Sequence, residues 1–157
     1  MNHRVSMPCG GHIIVAPLWV AYEANLGTLL RTCDAVGACM AAPDTEHYHE
    51  ALRRGDTLRV RPCIHWVDSK VDWIERESRR GAQVIGVELD EDSTSLRDLR
   101  VATGRTVVLL GNESKGLPAE AWPFVDRVVE IPMMGVGVSL NVAVAGSLVA
   151  YRLAGLS

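Results

Sequence analysis

The sequence has no apolar run approaching the roughly 18 residues that suggest a membrane span, and its N-terminus lacks a signal peptide's apolar core and cleavage pattern. These absences predict a soluble, cytoplasmic protein with no membrane partner. None of its four cysteines, Cys9, Cys33, Cys39 and Cys63, stands in a C-x-x-C spacing. That argues against a zinc ribbon or a redox pair and predicts reduced, mostly buried thiols. Histidines are few, and the one cluster, His47-Tyr48-His49-Glu50, sets its imidazoles at i and i+2. Such a pair points to different sides of a helix, and with no third ligand apparent, no metal is expected. Positive charge is not in excess either. A net charge of −3 gives no global field that advertises nucleic acid, although a local patch still can. Arg53, Arg54, Arg59 and Arg61 form the better candidate for phosphate contacts, beside the alternative of solvated arginines near a helix end.

What remains is ordinary globular material. The 157 residues, 48% hydrophobic and 22% charged, fit one domain that buries roughly two-thirds of its unfolded surface. Residues 1–11 read as a loose tail and 12–157 as the domain. Strand-like segments at His12 to Leu18, Ala38 to Ala42, Val84 to Leu89, Thr106 to Leu110 and Arg127 to Ile131 alternate with helical ones. The helical segments are Leu26 to Val36, Glu46 to Arg54, Asp68 to Arg80, a short piece near Leu96 to Leu99, and Ala119 to Phe124. This alternation predicts an α/β fold with a mainly parallel sheet covered by helices on both faces. The continuous apolar character of Thr106 to Leu110 suits a central strand.

In such sheets ligands bind beyond the carboxyl ends of the strands. Three segments qualify: Val84 to Glu88, Leu109 to Pro118, and Val129 to Pro132. The last leads through a Gly-rich loop to Ser139, a good N-cap, and then to a helix of Leu140, Val142, Ala143, Val144, Ala145, Leu148, Val149 and Leu153. A helix apolar all round belongs in a core or a dimer interface. Ser139 and Asn141 at its mouth need polar partners, and one cap bond satisfies only one of them.

Two nucleotide-binding motifs fail at their decisive positions. Gly111-Asn-Glu-Ser-Lys-Gly116 has a P-loop frame, but Leu117-Pro118 stand where Lys and Ser or Thr must reach phosphate and Mg²⁺, and Lys115 is one place early. Gly135-Val-Gly137 lacks the third glycine of a dinucleotide fold and comes late in the chain. Neither ATP nor NAD is supported, which disfavours a P-loop-like nucleotidase.

Together with Asn25-Leu-Gly27-Thr-Leu-Leu-Arg31, these segments resemble the SpoU (TrmH-like) branch of the SPOUT RNA methyltransferases. That family carries an N-x-G-x-x-x-R helix, a strand followed by G-N-E-x-x-G-L, and I-P-M with a later S-L-N, all present here in order. The resemblance implies a SPOUT-type fold with a C-terminal deep trefoil knot, S-adenosyl-L-methionine as cofactor, and a homodimer whose active site uses both subunits. It places the donor on Val87, Gly111, Ile131, Ser139 and Leu140, largely through backbone groups. It points to catalytic work at Arg31, Asn25, Glu113, Ser139 and Asn141; Lys115, at a position where the family varies, is a candidate contact for RNA phosphate.

The implied reaction, methyl transfer to a ribose 2′-OH, needs alignment and help with the hydroxyl proton. Arginine, with a pKa above about 12, is a poor base. Arg31 is therefore expected to stabilise the developing alkoxide and clamp a neighbouring phosphate, the proton leaving through phosphate or water. Asn25 lies nearly two helical turns from Arg31 and is either an N-cap or a substrate contact. Glu113 is expected to orient Arg31 or to accept a hydrogen bond from ribose or donor. The family's minimal members, without an extra RNA-binding domain, point to transfer RNA, especially its anticodon loop, over ribosomal RNA. A catalytically idle RNA-binding protein of the same fold is the alternative from another class.

Overall fold

The computed structural model describes residues 12–157; the expected tail, 1–11, lies outside the described residues. Apolar strands and amphipathic helices alternate as β1 (Ile13–Ala16), α1 (Glu23–Val36), β2 (Cys39–Pro43), α2 (Glu46–Gly55), β3 (Ile64–Val67), α3 (Lys70–Arg79), β4 (Gln83–Val87), β5 (Thr94–Ser95), β6 (Thr106–Leu109), β7 (Arg127–Glu130) and α4 (Val142–Leu153). Short 3₁₀ turns occupy Leu96–Asp98 and Trp122–Phe124. The strands form a single parallel sheet in the order β3-β2-β1-β6-β4-β7-β5.

Helices cover both faces because alternate side chains of each strand need burial on opposite sides. Ile13 and Val15 of β1 join a core with Leu26, Leu29 and Leu30 of α1, Leu52 of α2 and Val149 of α4. Ile14 and Ala16 join the other with Trp73 and Ile74 of α3. Every residue of β6, between β1 and β4, is buried, as its unbroken apolar run predicts. Each leucine fully buried on α1 contributes about 1.5–3 kcal/mol. Gly27, in the first motif, has a packing reason: α1 and α2 approach so closely that a Cβ on Gly55 would lie 2.7 Å from the Gly27 Cα.

The expected α/β architecture is present, with differences at its margins. β3 and β5 are strands absent from the sequence reading. The former is a half-buried edge strand without an unbroken apolar run, and the latter is two residues long. Of the expected helix Ala119 to Phe124 only the 3₁₀ turn forms, with Pro123 in its first positions. The last helix is capped by Asn141, not by Ser139, because the chain stays extended for two more residues before turning. Nor is that helix buried all round. Val144, Leu148 and Tyr151 are exposed and make an apolar stripe along one side. No helix among the described residues is long and apolar enough to cross a membrane.

Candidate functional site

Strand polarity puts the carboxyl ends of β4 and β7 side by side, and the chain leaving each of them is irregular. Between them lies a cleft of about 650 Å³, within the usual range for small-molecule sites, walled by Val87, Glu88, Ile131, Ser139 and Leu140 among others. Its upper wall is the loop from Pro132 to Asn141, exposed throughout. Gly135 and Gly137 face the cleft, and a Cβ on either would meet nothing closer than the Met133 Cε, 3.6 Å from that of Gly137. Backbone amides there stay open to a bound molecule.

Of the donor-binding residues expected from sequence, Val87, Ile131, Ser139 and Leu140 line this cleft, and Gly111 does not. Gly111 serves the adjacent loop. A side chain there would lie 2.3 Å from the carbonyl carbon of Gly116 and 2.4 Å from the Leu117 nitrogen. The loop is tied to itself by reciprocal backbone hydrogen bonds between Asn112 and Gly116, 3.1 and 2.9 Å, while the Asn112 Oδ1 accepts from the amides of Ser114 and Lys115. Gly116 takes a left-handed φ of 70°, which favours glycine.

Glu88 is a site residue that sequence reasoning missed. Its Oε1 accepts from the Leu117 N–H at 2.7 Å, fastening the glycine loop to the cleft wall. The available signal was a carboxylate at the carboxyl end of a buried strand.

Glu113 projects from the same loop to the start of α1, where Tyr22 offers no side-chain cap. Its Oε1 accepts from the Ala21 amide at 2.8 Å, and its Oε2 accepts from Tyr22 at 2.9 Å and from the Asn25 Nδ2 at 3.3 Å. Burial alone would raise its pKa. The Ala21 and Tyr22 amides, with the side chain of Asn25, more than offset this and hold it below the usual carboxylate range. The 18–22 segment that supplies these amides is itself pinned, since the Tyr48 hydroxyl donates to the Val20 carbonyl at 2.6 Å. Burial, then the charge of Glu113, pushes that hydroxyl up to about 12.

Asn141 completes the network. Its Oδ1 accepts from the Ala143 and Val144 amides at 2.9 and 3.2 Å, capping α4, and its Nδ2 donates to the Asn25 Oδ1 at 3.1 Å. Thus Asn25, Glu113 and Asn141, far apart in the chain, form one chain of hydrogen bonds, joined to the cleft through Leu140, the lining residue that precedes Asn141. Asn25 is neither of its expected alternatives alone: it sits inside the first turn of α1, 8% exposed, as the bridge between the other two. Ser139 is exposed at the cleft mouth, free of the capping role first expected of it.

Arg31 stands apart. It is exposed on α1, some 9 Å along the axis from Asn25 by helical rise, and its NH1 donates to the Thr57 Oγ1 at 3.4 Å. Glu113 spends its oxygens on Ala21, Tyr22 and Asn25, so the expected orientation of Arg31 by Glu113 is not how this chain arranges them. Much of the arginine group on and after α2 is matched by carboxylates. Arg54 meets Glu50 at 2.6 Å and Glu23 at 3.6 Å, Arg53 meets Glu50 at 3.7 Å, and Arg61 meets Asp56 at 3.8 Å. Lys115 is exposed on the glycine loop.

Known proteins resemble this chain over most of its length. The model of the SpoU rRNA Methylase family matches residues 12–151. A tRNA (guanosine(18)-2'-O)-methyltransferase of Aquifex aeolicus is 32% identical over 138 residues, covering 85% of this chain and 64% of that protein. The chain therefore spans slightly less than two-thirds of that relative's length. An AdoMet-bound rRNA methyltransferase from Sinorhizobium meliloti superposes with a TM-score of 0.72 at 27% identity, over 91% of this chain and 56% of that one. A structure giving insight into the 2-OH methylation of C/U34 on tRNA superposes with a TM-score of 0.69 at 26% identity, over 93% of this chain and 97% of that one.

Proposed function

The chain belongs to the SpoU rRNA Methylase family, and from that premise we propose that it is an S-adenosylmethionine-dependent methyltransferase acting on a ribose 2′-hydroxyl of RNA. The carrying observation is that a cleft of donor size lies beyond the carboxyl ends of β4 and β7, and that Leu140 on its wall leads directly into Asn141 of the Asn25, Glu113 and Asn141 network. The cleft fits the donor by size and by its open glycines, with Val87, Ile131, Ser139 and Leu140 as walls and the Glu88-fastened loop alongside. S-adenosylmethionine supplies an activated methyl group when bound there. The remaining work belongs to the chain. Asn141 and Ser139 border the reacting ribose, and Glu113 holds Asn25 so that its amide is presented in one orientation. Arg31 stabilises the developing alkoxide and clamps a phosphate, while the proton passes to phosphate or water.

Among the described residues Arg31 bonds to Thr57 rather than to the network of its own chain, which supports a homodimer in which it serves the other copy. The exposed stripe of Val144, Leu148 and Tyr151 on α4, the helix packed beside α1, supplies an apolar surface for that association. The proposal includes the knotted path of the C-terminal segment implied by the family resemblance.

Transfer RNA is the favoured substrate, in its anticodon loop. The support is the near end-to-end match with the structure concerned with C/U34 of tRNA, whose own length this chain covers almost completely. Incubation of bulk RNA with methyl-labelled donor, followed by mass-spectrometric mapping, should place the label on a ribose of tRNA. Label confined to ribosomal RNA overturns the substrate. Binding of S-adenosylhomocysteine without label in any RNA overturns the activity and leaves an RNA-binding protein.

A further inference from the structure

The cysteines that spacing in the sequence keeps apart are brought together by the sheet. β2 and β3 run parallel in the register Met40 to Ile64 and Ala41 to His65. Cys39 and Cys63 thus precede the paired residues on adjacent strands, and His65 follows Cys63 on the same face by the two-residue strand period. The Cys39 and Cys63 Sγ and one ring nitrogen of His65 all lie within 4.8 Å of one another, with the Cys63 Sγ 3.7 Å from the His65 Nε2. These residues sit at the amino-terminal end of β2 and β3, away from the donor cleft at the carboxyl ends of β4 and β7.

We propose that Cys39, Cys63 and His65 form a binding site for a thiophilic divalent cation, Zn²⁺ by its chemistry, that clasps the β2–β3 edge of the sheet. Two thiolates and an imidazole are a borderline-soft donor set of the kind zinc takes. With Zn–S near 2.3 Å and Zn–N near 2.0–2.1 Å, tetrahedral coordination requires sulfur and nitrogen ligands about 3.6 Å apart and two sulfurs about 3.8 Å apart. The Cys63 to His65 separation already meets this, and the other edges close with movements of no more than about 1 Å. Cys39 is 3% exposed while Cys63 and His65 are half-buried, so the site has a dry floor and an open mouth, with a fourth position for water. Cys33 belongs to the core on the opposite face of the sheet and is not part of the set.

Titration of the reduced, metal-stripped protein with Co²⁺ tests the site. One equivalent should produce a thiolate-to-cobalt charge-transfer band and tetrahedral ligand-field bands, displaced by Zn²⁺, and Zn²⁺ should raise the melting temperature. Replacing even an outer partner of a metal ligand costs 10–100-fold in affinity, so Cys63→Ser and His65→Gln should each weaken binding by about 100-fold or more. Cys33→Ala should keep the spectrum. Both ligand positions are partly exposed, and their melting temperatures without metal should match the parent, so lost binding is not lost folding. Absence of the charge-transfer band in the parent, or its survival in both Cys63→Ser and His65→Gln, overturns the proposal. Neither result bears on methyl transfer, which is measured separately.

Discussion

Glu113 is a carboxylate whose surroundings require it to be ionised. Two backbone amides and the Asn25 side chain donate to it, and its pKa lies below the ordinary range in consequence. Because the folded value is depressed, the stabilisation is complete above the unfolded glutamate pKa and is lost as pH falls through the folded one. Glu113→Gln should therefore cost about 1–2 kcal/mol at neutral pH, less than a fully buried charged hydrogen-bond set, since the group is partly exposed. Urea unfolding across pH should show the gap between parent and variant closing in acid. A gap independent of pH would mean that the charge is not what the network uses. The neighbouring polar residues divide in the same way. Asn141→Ala removes the α4 cap and the bond to Asn25 and should cost about 1 kcal/mol or somewhat more. Ser139→Ala should leave stability within about 0.5 kcal/mol, because no cap depends on it. Both should lower methyl transfer; thermal melts paired with labelled-donor assays separate the two roles.

Glycines that look alike in the sequence do different work in the loops that join the elements. Gly111 lets β6 pass its own returning loop at backbone contact, so Gly111→Ala must push Gly116 and Leu117 aside at a cost of about 1–3 kcal/mol. Gly137 has only a methionine methyl nearby and stands on the cleft wall. Gly137→Ala should leave stability unchanged or raise it by about 0.4–1 kcal/mol, while weakening binding of S-adenosylhomocysteine measured by calorimetry. Undiminished binding by that variant would remove the cleft from consideration as the donor site. Elements were legible where local composition and burial agree. β1, β2, β4 and β6 are largely apolar runs, β7 carries the Val128-Val129 pair between charged ends, and α1 to α3 show a helical period. β3 was not, since an edge strand holding His65 and Trp66 lacks the period that burial on one side imposes. The true cap of α4 was hidden because Ser139 and Asn141 are both good caps, and the path of the chain into the helix, which composition does not show, puts Asn141 at the cap position.

At the scale of the whole molecule, the motifs marked residues that the fold gathers, but not how Arg31 stands to them. Three stretches far apart in sequence were recognisable by their order and residue types, and the fold brings Asn25, Glu113 and Asn141 within hydrogen-bond reach. Arg31 belongs to the same motif as Asn25 but points elsewhere, because six residues of helix both advance and rotate the chain. Likewise, the apolar sequence of α4 could not say which of its sides would remain open. In the fold, Val144, Leu148 and Tyr151 are 45%, 40% and 37% exposed and stand at i, i+4 and i+7, one stripe on a helix. If a second copy covers this stripe and contributes its Arg31, a charge at the centre should disconnect the two halves of the site without unfolding either. Leu148→Glu should sediment as a monomer, melt near the parent's dissociated form and lose methyl transfer. Mixing Arg31→Ala with Asn141→Ala chains should restore part of the activity, because each mixed dimer holds one site with both residues intact. A fully active Leu148→Glu monomer would show that one chain suffices, and would return Arg31 to the service of its own cleft.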